Sequence, residues 1–234
     1  MIHTAKYGTT NIYFFLFRSI RKSLTIEVHP DLTVKVLAPI NAAFDEIEKR
    51  VIKRGGWIIK QQRYFESFLP RTPQREYISG ETHLYLGRRY LLKIAREEKN
   101  EVKLKGGCLK VSISKDAFNT TARNVLAGWY KSHSEKILVK HFLQNLMSFQ
   151  KYDVAEPLLL IKRMKNRWGS KTPSGKIVLN PELIKAPVKC IDYVIIHELC
   201  HFVHPQHNKM FYQLQEKMMP DWKRWKDRLE SIMS

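Results

Sequence analysis

The chain has 234 residues, of which 44% are hydrophobic and 11% aromatic, with only 10 Gly and 10 Pro. This composition excludes a disordered, collagen-like or low-complexity protein and predicts a globular one with a substantial core. Lys and Arg total 41 against 22 Asp and Glu, a formal net charge of +19. The surface should therefore attract polyanions or anionic substrates.

Cysteine content and hydropathy favour a cytoplasmic protein. Three cysteines at irregular spacing, Cys108, Cys190 and Cys200, suit a reducing compartment better than a disulfide framework. The longest apolar run, residues 12–17, is far shorter than the roughly 18–20 residues that span a bilayer. Basic residues follow this run, whereas in a secretory signal they precede it. We therefore expect a cytoplasmic location and no membrane span.

The first part of the chain is rich in strand signals. Apolar residues recur at helical spacing from Phe44 to Val51 until Gly55 interrupts them, which predicts two short helical pieces. Strands are predicted wherever aromatic, β-branched or alternating residues cluster. These clusters lie at residues 12–17, 24–28, 32–36, 83–92 (two strands about Gly87), 102–104 and 109–113.

A long helix and a smaller mixed segment follow. Between residues 117 and 149 apolar residues recur at the helical period without Pro, which predicts one long amphipathic helix. Beyond it we expect a strand at 158–161, its partner at 176–179, and helices after Pro187 and after His207.

The predicted fold class is α+β. We expect a β-rich N-terminal part over residues 1–115, a long linking helix over residues 116–150, and a compact C-terminal lobe over residues 151–234. The lobe should combine a small sheet with the helix that begins after Pro187. The sequence shows no internal repeat.

One motif on that helix, His197-Glu198-Leu199-Cys200-His201, carries the clearest chemical signal. Residues four apart lie one above the other on a helix face, so both imidazoles can reach one metal ion. Glu198 then borders the open position of the ion. The sequence therefore predicts one Zn²⁺ per chain, with Glu198 as the base that activates a zinc-bound water. Cys200 lies on a different face and is expected in the core.

A catalytic zinc usually has three protein ligands, so a third must be found. His207 is favoured, because Pro205 should end the helix and let the chain turn back toward the metal. His204 is an alternative, although it lies roughly 7–8 Å along the helix axis from the midpoint of the first two histidines. Glu216 on the next helix is another, and spacing alone leaves the choice open.

Segments around the motif match the pattern of a known family. They are Arg167-Trp168-Gly169-Ser170, the following hairpin ending Ile177-Val178-Leu179-Asn180, the motif helix, and His207-Asn208-Lys209-Met210-Phe211. Together they resemble the YgjP-like family of metal-dependent hydrolases, and weaker likeness extends over most of the chain. The resemblance implies a zincin-like lobe, metal ligands at His197, His201 and His207, and Glu198 as the catalytic carboxylate.

The leading functional prediction is a zinc-dependent hydrolase of the metallopeptidase type, acting on a peptide or an anionic small molecule. Residues 158–164 have the place of the edge strand above a zincin cleft, where an extended peptide can pair. Basic residues just before the site, Arg163, Lys165 and Arg167, favour a nucleotide pyrophosphatase acting on a nucleoside triphosphate as the alternative.

A DNA-associated protease is a further alternative, because the resembled family lies near the SprT-like and Wss-type proteases. The net positive charge would then support non-specific binding of nucleic acid. Residues 168–170 are interpreted first as a turn that caps the hairpin and second as a lining of the substrate cleft. Donors that could stabilise a developing oxyanion are Tyr212, His204, Arg163 and Arg167.

Overall fold

The computed structural model describes residues 2–29, 31–66, 75–115, 121–152, 154–165 and 167–233. It is an α+β structure, which confirms the predicted fold class. The chain divides into two compact units, Met1–Pro73 and Gln74–Met233. Within the described ranges, no helix is long and apolar enough to cross a bilayer. The cytoplasmic location stays a prediction.

The first unit is a four-stranded sheet with two helices. Its elements are β1 (Ile2–Tyr7), β2 (Thr10–Ser19), β3 (Thr25–Val28), β4 (Val34–Pro39), α1 (Phe44–Lys53) and α2 (Gly55–Glu66). The strand order is β1-β2-β4-β3, with a parallel β2–β4 pair between two antiparallel hairpins. Alternating residues of the strands face a core that the apolar stripe of α1 completes. Fully buried members include Ile12, Phe14, Val36, Ile47 and Val51.

The second unit begins with another four-stranded sheet. Its strands are β5 (Thr82–Tyr85), β6 (Arg88–Glu97), β7 (Glu101–Lys105) and β8 (Cys108–Ser114). Their order is β5-β6-β8-β7, again with a central parallel pair between two antiparallel hairpins. The two sheets therefore share strand order and direction, an internal repeat of structure that the sequence does not reveal. Different apolar residues satisfy the same alternation, so the residue identities need not repeat.

The long helix α3 (Ala122–Met147) connects two parts of the core of this unit. Thr121 caps its start by accepting from Asn124 N. Leu126 packs with the second sheet, and Leu138 and Phe142 pack with the C-terminal lobe. The predicted linking helix is thus observed over most of its length. Residues 116–120 of that prediction lie outside the described residues.

The C-terminal lobe combines a three-stranded sheet with three helices. Its elements are β9 (Leu159–Ile161), β10 (Gly169–Lys171), β11 (Ile177–Leu179), a 3₁₀ helix (Pro181–Lys185), α4 (Val188–Val203), α5 (Lys209–Met218) and α6 (Trp222–Met233). The strand order is β10-β11-β9. β11 forms its hairpin with β10 and runs parallel to β9. The predicted partnership of residues 158–161 and 176–179 is therefore confirmed, but the two strands run parallel, and the turn at residues 173–175 connects β11 to β10 instead.

The second sheet is joined to the C-terminal lobe by its β5–β6 turn. Leu86 N donates to Ile184 O at 2.8 Å and Gly87 N donates to Lys185 O at 3.0 Å. Tyr130 on α3 donates its hydroxyl to Leu84 O at 2.6 Å. These bonds explain why the expected boundary at residue 115 falls inside the second compact unit rather than between units. The expected division into 1–115, 116–150 and 151–234 does not coincide with the two units.

Candidate metal centre

The motif helix α4 forms because its residues are apolar almost all round, as expected of a helix buried in a core. It begins after Pro187 and ends at Val203, where His204 adopts an extended conformation before Pro205. The predicted end of the helix is confirmed. His197 and His201 share one face of α4, with ring centroids 5.0 Å apart. Cys200 is fully buried in the core, as predicted.

Beyond Pro205 the chain turns so that His207 reaches the two histidines of α4. Metal-binding atoms of His197, His201 and His207 all lie within 4.8 Å of one another. The Nε2 atoms of His207 and His197 are 3.0 Å apart. His204 and Glu216, the alternatives from spacing, lie outside this group of described residues. The structure therefore brings together the three histidines that the sequence favoured.

Hydrogen bonds orient two of the three imidazoles. Nδ1 of His197 lies 3.0 Å from Gln215 Oε1, and Nδ1 of His201 lies 3.2 Å from Pro205 O. An oxygen accepts from Nδ1–H in each case, which leaves the Nε2 lone pair free for a metal. Gln215 is fully buried on α5, so its side-chain oxygen is held in place.

Phe211 forms the floor beneath the histidines. Its ring centroid lies 5.0, 4.7 and 4.7 Å from those of His197, His201 and His207, and its side chain is fully buried. Asn208 caps α5 by accepting from Phe211 N at 3.0 Å. The cap therefore fixes the helix that supplies both Phe211 and Gln215.

This donor set fits a zinc ion. Three neutral imidazoles with Zn–N bonds of about 2.0–2.1 Å make a typical catalytic zinc site, and nitrogens 3.0 Å apart can share one ion. Burial lowers the pKa of His197 to about 4 and also lowers the pKa of His201. Both rings are therefore neutral at pH 7, which is the form that binds metals.

Glu198 lies buried beside the histidines. Its Oε2 accepts a hydrogen bond from the backbone N–H of Lys171 at 2.7 Å. Burial raises the pKa of Glu198 to about 7, although the Lys171 N–H and the charge of Arg167 act to lower it. A carboxyl group that titrates near neutral pH can both accept and return a proton.

Strand β10 approaches α4 closely because residue 169 is glycine. A Cβ at Gly169 would lie 2.7 Å from Val194 Cγ1 and 2.8 Å from Glu198 Cγ, closer than atoms can pack. This contact was not predicted from the sequence, in which residues 158–164 have the place of the strand that borders the cleft. A glycine inside a strand often marks such a close approach, and that signal could have identified β10.

A cleft of about 480 Å³ opens over the histidines and Glu198. Of the four candidate oxyanion donors, Arg167 is among its lining residues, whereas Arg163, His204 and Tyr212 are not. Of residues 168–170, Gly169 and Ser170 line the cleft, as the second interpretation expected, whereas Trp168 is not among the lining residues and packs against the core. The lining consists of Arg167, Gly169, Ser170, Lys171, Thr172, Pro173, His197, Glu198, His201, Pro205 and His207.

Asn180 holds the segment that carries Arg167. Its Nδ2 donates to Met164 O at 2.9 Å and to Arg167 O at 3.1 Å. Its Oδ1 accepts from Glu182 N and caps the following 3₁₀ helix. Asn180 is 3% exposed, so three of its hydrogen-bonding positions are satisfied within the protein. This positioning role was not predicted from the sequence.

Converging imidazoles, a buried carboxylate and an open cleft together form the kind of site that metal-dependent hydrolases use. Family comparison agrees: residues 22–232 match the YgjP-like, metallopeptidase domain. The chain therefore belongs to the YgjP-like metallopeptidase family, which confirms the resemblance seen in its motifs and indicates a metal-dependent hydrolase. Comparison with curated proteins gave no match.

Proposed function

We propose that the protein is a zinc-dependent hydrolase of the metallopeptidase type. The observation that carries the proposal is the convergence of His197, His201 and His207 beside Glu198 in one cleft. The three Nε2 atoms would hold the metal. Imidazole ligands favour zinc over magnesium or calcium, which prefer oxygen ligands.

Zinc bound at this position would polarise the attacked bond and lower the pKa of a water molecule to about 7. Glu198 would take the proton of the attacking water and return it to the leaving group. The Lys171 N–H anchors Oε2, so that Oε1 can exchange the proton without rotation of the side chain. Arg167, which lines the cleft, supplies positive charge for a developing oxyanion.

A peptide substrate is supported by the position of β10. This strand is at one edge of its sheet and its residues line the cleft. On the unpaired side of this edge strand the Lys171 N–H is taken by Glu198, so an extended peptide would pair with the remaining backbone groups of that side. A substrate bound in this way would enter the cleft that the three histidines and Glu198 also line.

A nucleotide pyrophosphatase is the second candidate, because two cations line the same cleft. Arg167 and Lys171 both face it, and Lys171 Nζ lies 5.2 Å from the ring centroid of Phe202. Guanidinium and ammonium groups at such positions suit the phosphates of a nucleoside triphosphate.

The two candidates can be separated in one experiment. Zinc-loaded protein is incubated with a mixed peptide library and, in parallel, with the four nucleoside triphosphates. We expect peptide cleavage that falls about 100-fold or more in Glu198→Gln. Glu216→Gln, an exposed glutamate on α5, is the matched control and should retain full activity.

Turnover of nucleotides alone, with the same dependence on Glu198, would replace the peptidase with the pyrophosphatase. Zinc content measured on each variant shows whether loss of activity comes from loss of metal. If neither substrate class is turned over in a Glu198-dependent manner by zinc-loaded protein, the proposal is wrong.

A further inference from the structure

The first unit has a cleft of its own, about 710 Å³ in volume. One wall consists of residues 24–26, at the start of the edge strand β3. The other wall is the end of α1 and the start of α2. It contributes Arg50, Lys53, Arg54 and Trp57. All residues of the candidate metal centre belong to the second unit, and none of them lines this cleft.

Three cations lie close together on the helical wall. Arg50, Lys53 and Arg54 are all exposed, and among the described residues none of them forms a salt bridge. Four residues span about 6 Å along a helix, so the three charges face one short stretch of the cleft. Like charges at this spacing repel one another. A bound polyanion would remove that repulsion.

Trp57 adds an aromatic surface beside the cations. It is 40% exposed and follows Lys53 by four residues. The Ile58 N–H donates to Arg54 O at 2.9 Å. This bond has the helical i to i−4 spacing, so the helical conformation continues from α1 into α2. Trp57 therefore stays on the side of the basic residues. An exposed ring next to guanidinium groups is a platform on which a nucleic acid base can stack.

The opposite wall suits the same ligand. Leu24 and Ile26 supply apolar surface, and the hydroxyl of Thr25 accepts from Arg21 Nη2. The Nε of Arg21 is buried without a hydrogen-bond partner in the described chain. A fourth cation with an unpaired donor therefore lies next to a residue that lines the cleft.

We propose that this cleft binds single-stranded nucleic acid. Phosphates would contact Arg50, Lys53 and Arg54, and a base would stack on Trp57 between the two walls. An acidic peptide would contact the three cations but would have no base to stack on the ring of Trp57. A double helix keeps its bases paired and stacked, so it cannot offer one to Trp57. The proposal is independent of the hydrolase activity.

The test measures binding of fluorescein-labelled oligodeoxythymidine and oligouridine of 15 nucleotides to the full chain, by anisotropy at several salt concentrations. The cleft variant is Arg50→Gln/Lys53→Gln/Arg54→Gln. The matched control is Lys6→Gln/Lys49→Gln/Arg63→Gln, which removes the same net charge from exposed positions of the first unit outside the cleft. Comparison of the two oligonucleotides shows whether DNA or RNA is preferred.

We expect the cleft variant to bind at least about tenfold more weakly. The slope of log K against log salt should become less steep by about 2, because each of the three lost phosphate contacts contributes roughly 0.7 to its magnitude. The control should keep the slope of the wild type. Trp57→Ala should weaken binding by about five- to a hundredfold, whereas Trp57→Phe, which keeps a ring, should retain most of the affinity.

Four results would each overturn the proposal: no binding at 50 mM salt, equal losses in the two triple variants, equal losses in the two Trp57 variants, or equally tight binding of a duplex or a poly-glutamate peptide. Thermal unfolding of each variant verifies that it is folded. If the cleft triple variant does not fold, the Trp57 pair decides the outcome.

Discussion

The backbone N–H of Lys171 holds the carboxylate of Glu198 by a hydrogen bond of 2.7 Å. One partner is on the edge strand of the small sheet and the other is on the helix with the histidines. The two elements can approach this closely because Gly169 has no side chain between them. Placement of Glu198 therefore depends on a residue that contributes no functional group.

Substitution Gly169→Ala should displace Glu198 without removing the metal. The added Cβ would lie 2.8 Å from both Cγ and Oε1 of Glu198, so the carboxylate must move. We expect hydrolytic activity to fall about 100-fold, which is typical of misplacing a reacting group by about 1 Å, while zinc content stays at the wild-type value. Gly128→Ala on α3, where a Cβ meets nothing within 4 Å, is the control. Wild-type kcat in Gly169→Ala would refute this role of the glycine.

Removal of His207 should abolish tight zinc binding, because two imidazoles alone would remain. We expect about one zinc per chain in the wild type and in His204→Ala, and much less in His207→Ala, measured by plasma mass spectrometry after dialysis. Zinc at 100 times its Kd should stabilise the wild type by about 2.7 kcal/mol and should stabilise His207→Ala far less. If His207→Ala retained its zinc, the third ligand would be a residue other than His207.

Gln215→Ala should weaken zinc binding although Gln215 is not proposed as a ligand. Its Oε1 accepts from the imidazole of His197, and loss of such an orienting partner typically costs roughly 10- to 100-fold in metal affinity. Competition with a chromogenic chelator measures this change. Gln213→Ala, an exposed glutamine on the same helix, should bind zinc like the wild type. Equal affinities of the two variants would show that Gln215 does not orient the ligand.

Local patterns predicted the parts of the site that lie close together in sequence. His197 and His201 follow from the helical repeat, and His207 follows from the helix end that Pro205 enforces. The parts that were missed depend on distant pairing. Lys171 is 27 residues from Glu198, and the glycine at position 169 is the one local sign that β10 rather than β9 borders α4. Short strands acquire their partners from the tertiary fold.

The fold shows the same limit. Every strand of the first two sheets except β1 (Ile2–Tyr7) was predicted from its own residues, yet the shared strand order β1-β2-β4-β3 and β5-β6-β8-β7 was not. The two strands of each parallel central pair are separated in sequence by another strand. The alternation of residues within one strand does not specify such a non-adjacent partner. The hydrogen bond from Leu86 N to Ile184 O likewise joins residues almost 100 positions apart, which no local pattern can encode.

The substitution Asn180→Asp should destabilise the protein more than Asn180→Ala. Asn180→Ala removes two buried hydrogen bonds to carbonyl oxygens and a cap, so we expect a loss of about 1–3 kcal/mol in the free energy of unfolding. Asn180→Asp keeps the cap oxygen but directs a second oxygen at the carbonyls of Met164 and Arg167, which repels both. Urea unfolding at pH 7 should therefore rank wild type, Ala and Asp in decreasing stability. An aspartate variant as stable as the wild type would show that these carbonyls are not held by Asn180.

Gly87→Ala should destabilise the second unit more than the same change at Gly107. Both glycines have positive φ, 78° and 71°, so alanine at either position costs about 1–2 kcal/mol of backbone strain. At Gly87 the new Cβ would also lie 2.9 Å from the backbone N and Cα of Pro187. Backbone atoms cannot move away by a side-chain rotation, so this overpacking adds about 1–3 kcal/mol to the loss of stability. At Gly107 nothing lies within 4 Å. The difference between the two variants in urea unfolding therefore measures the contact of the β5–β6 turn with the start of α4. Equal losses would mean that this turn does not pack against Pro187 in solution.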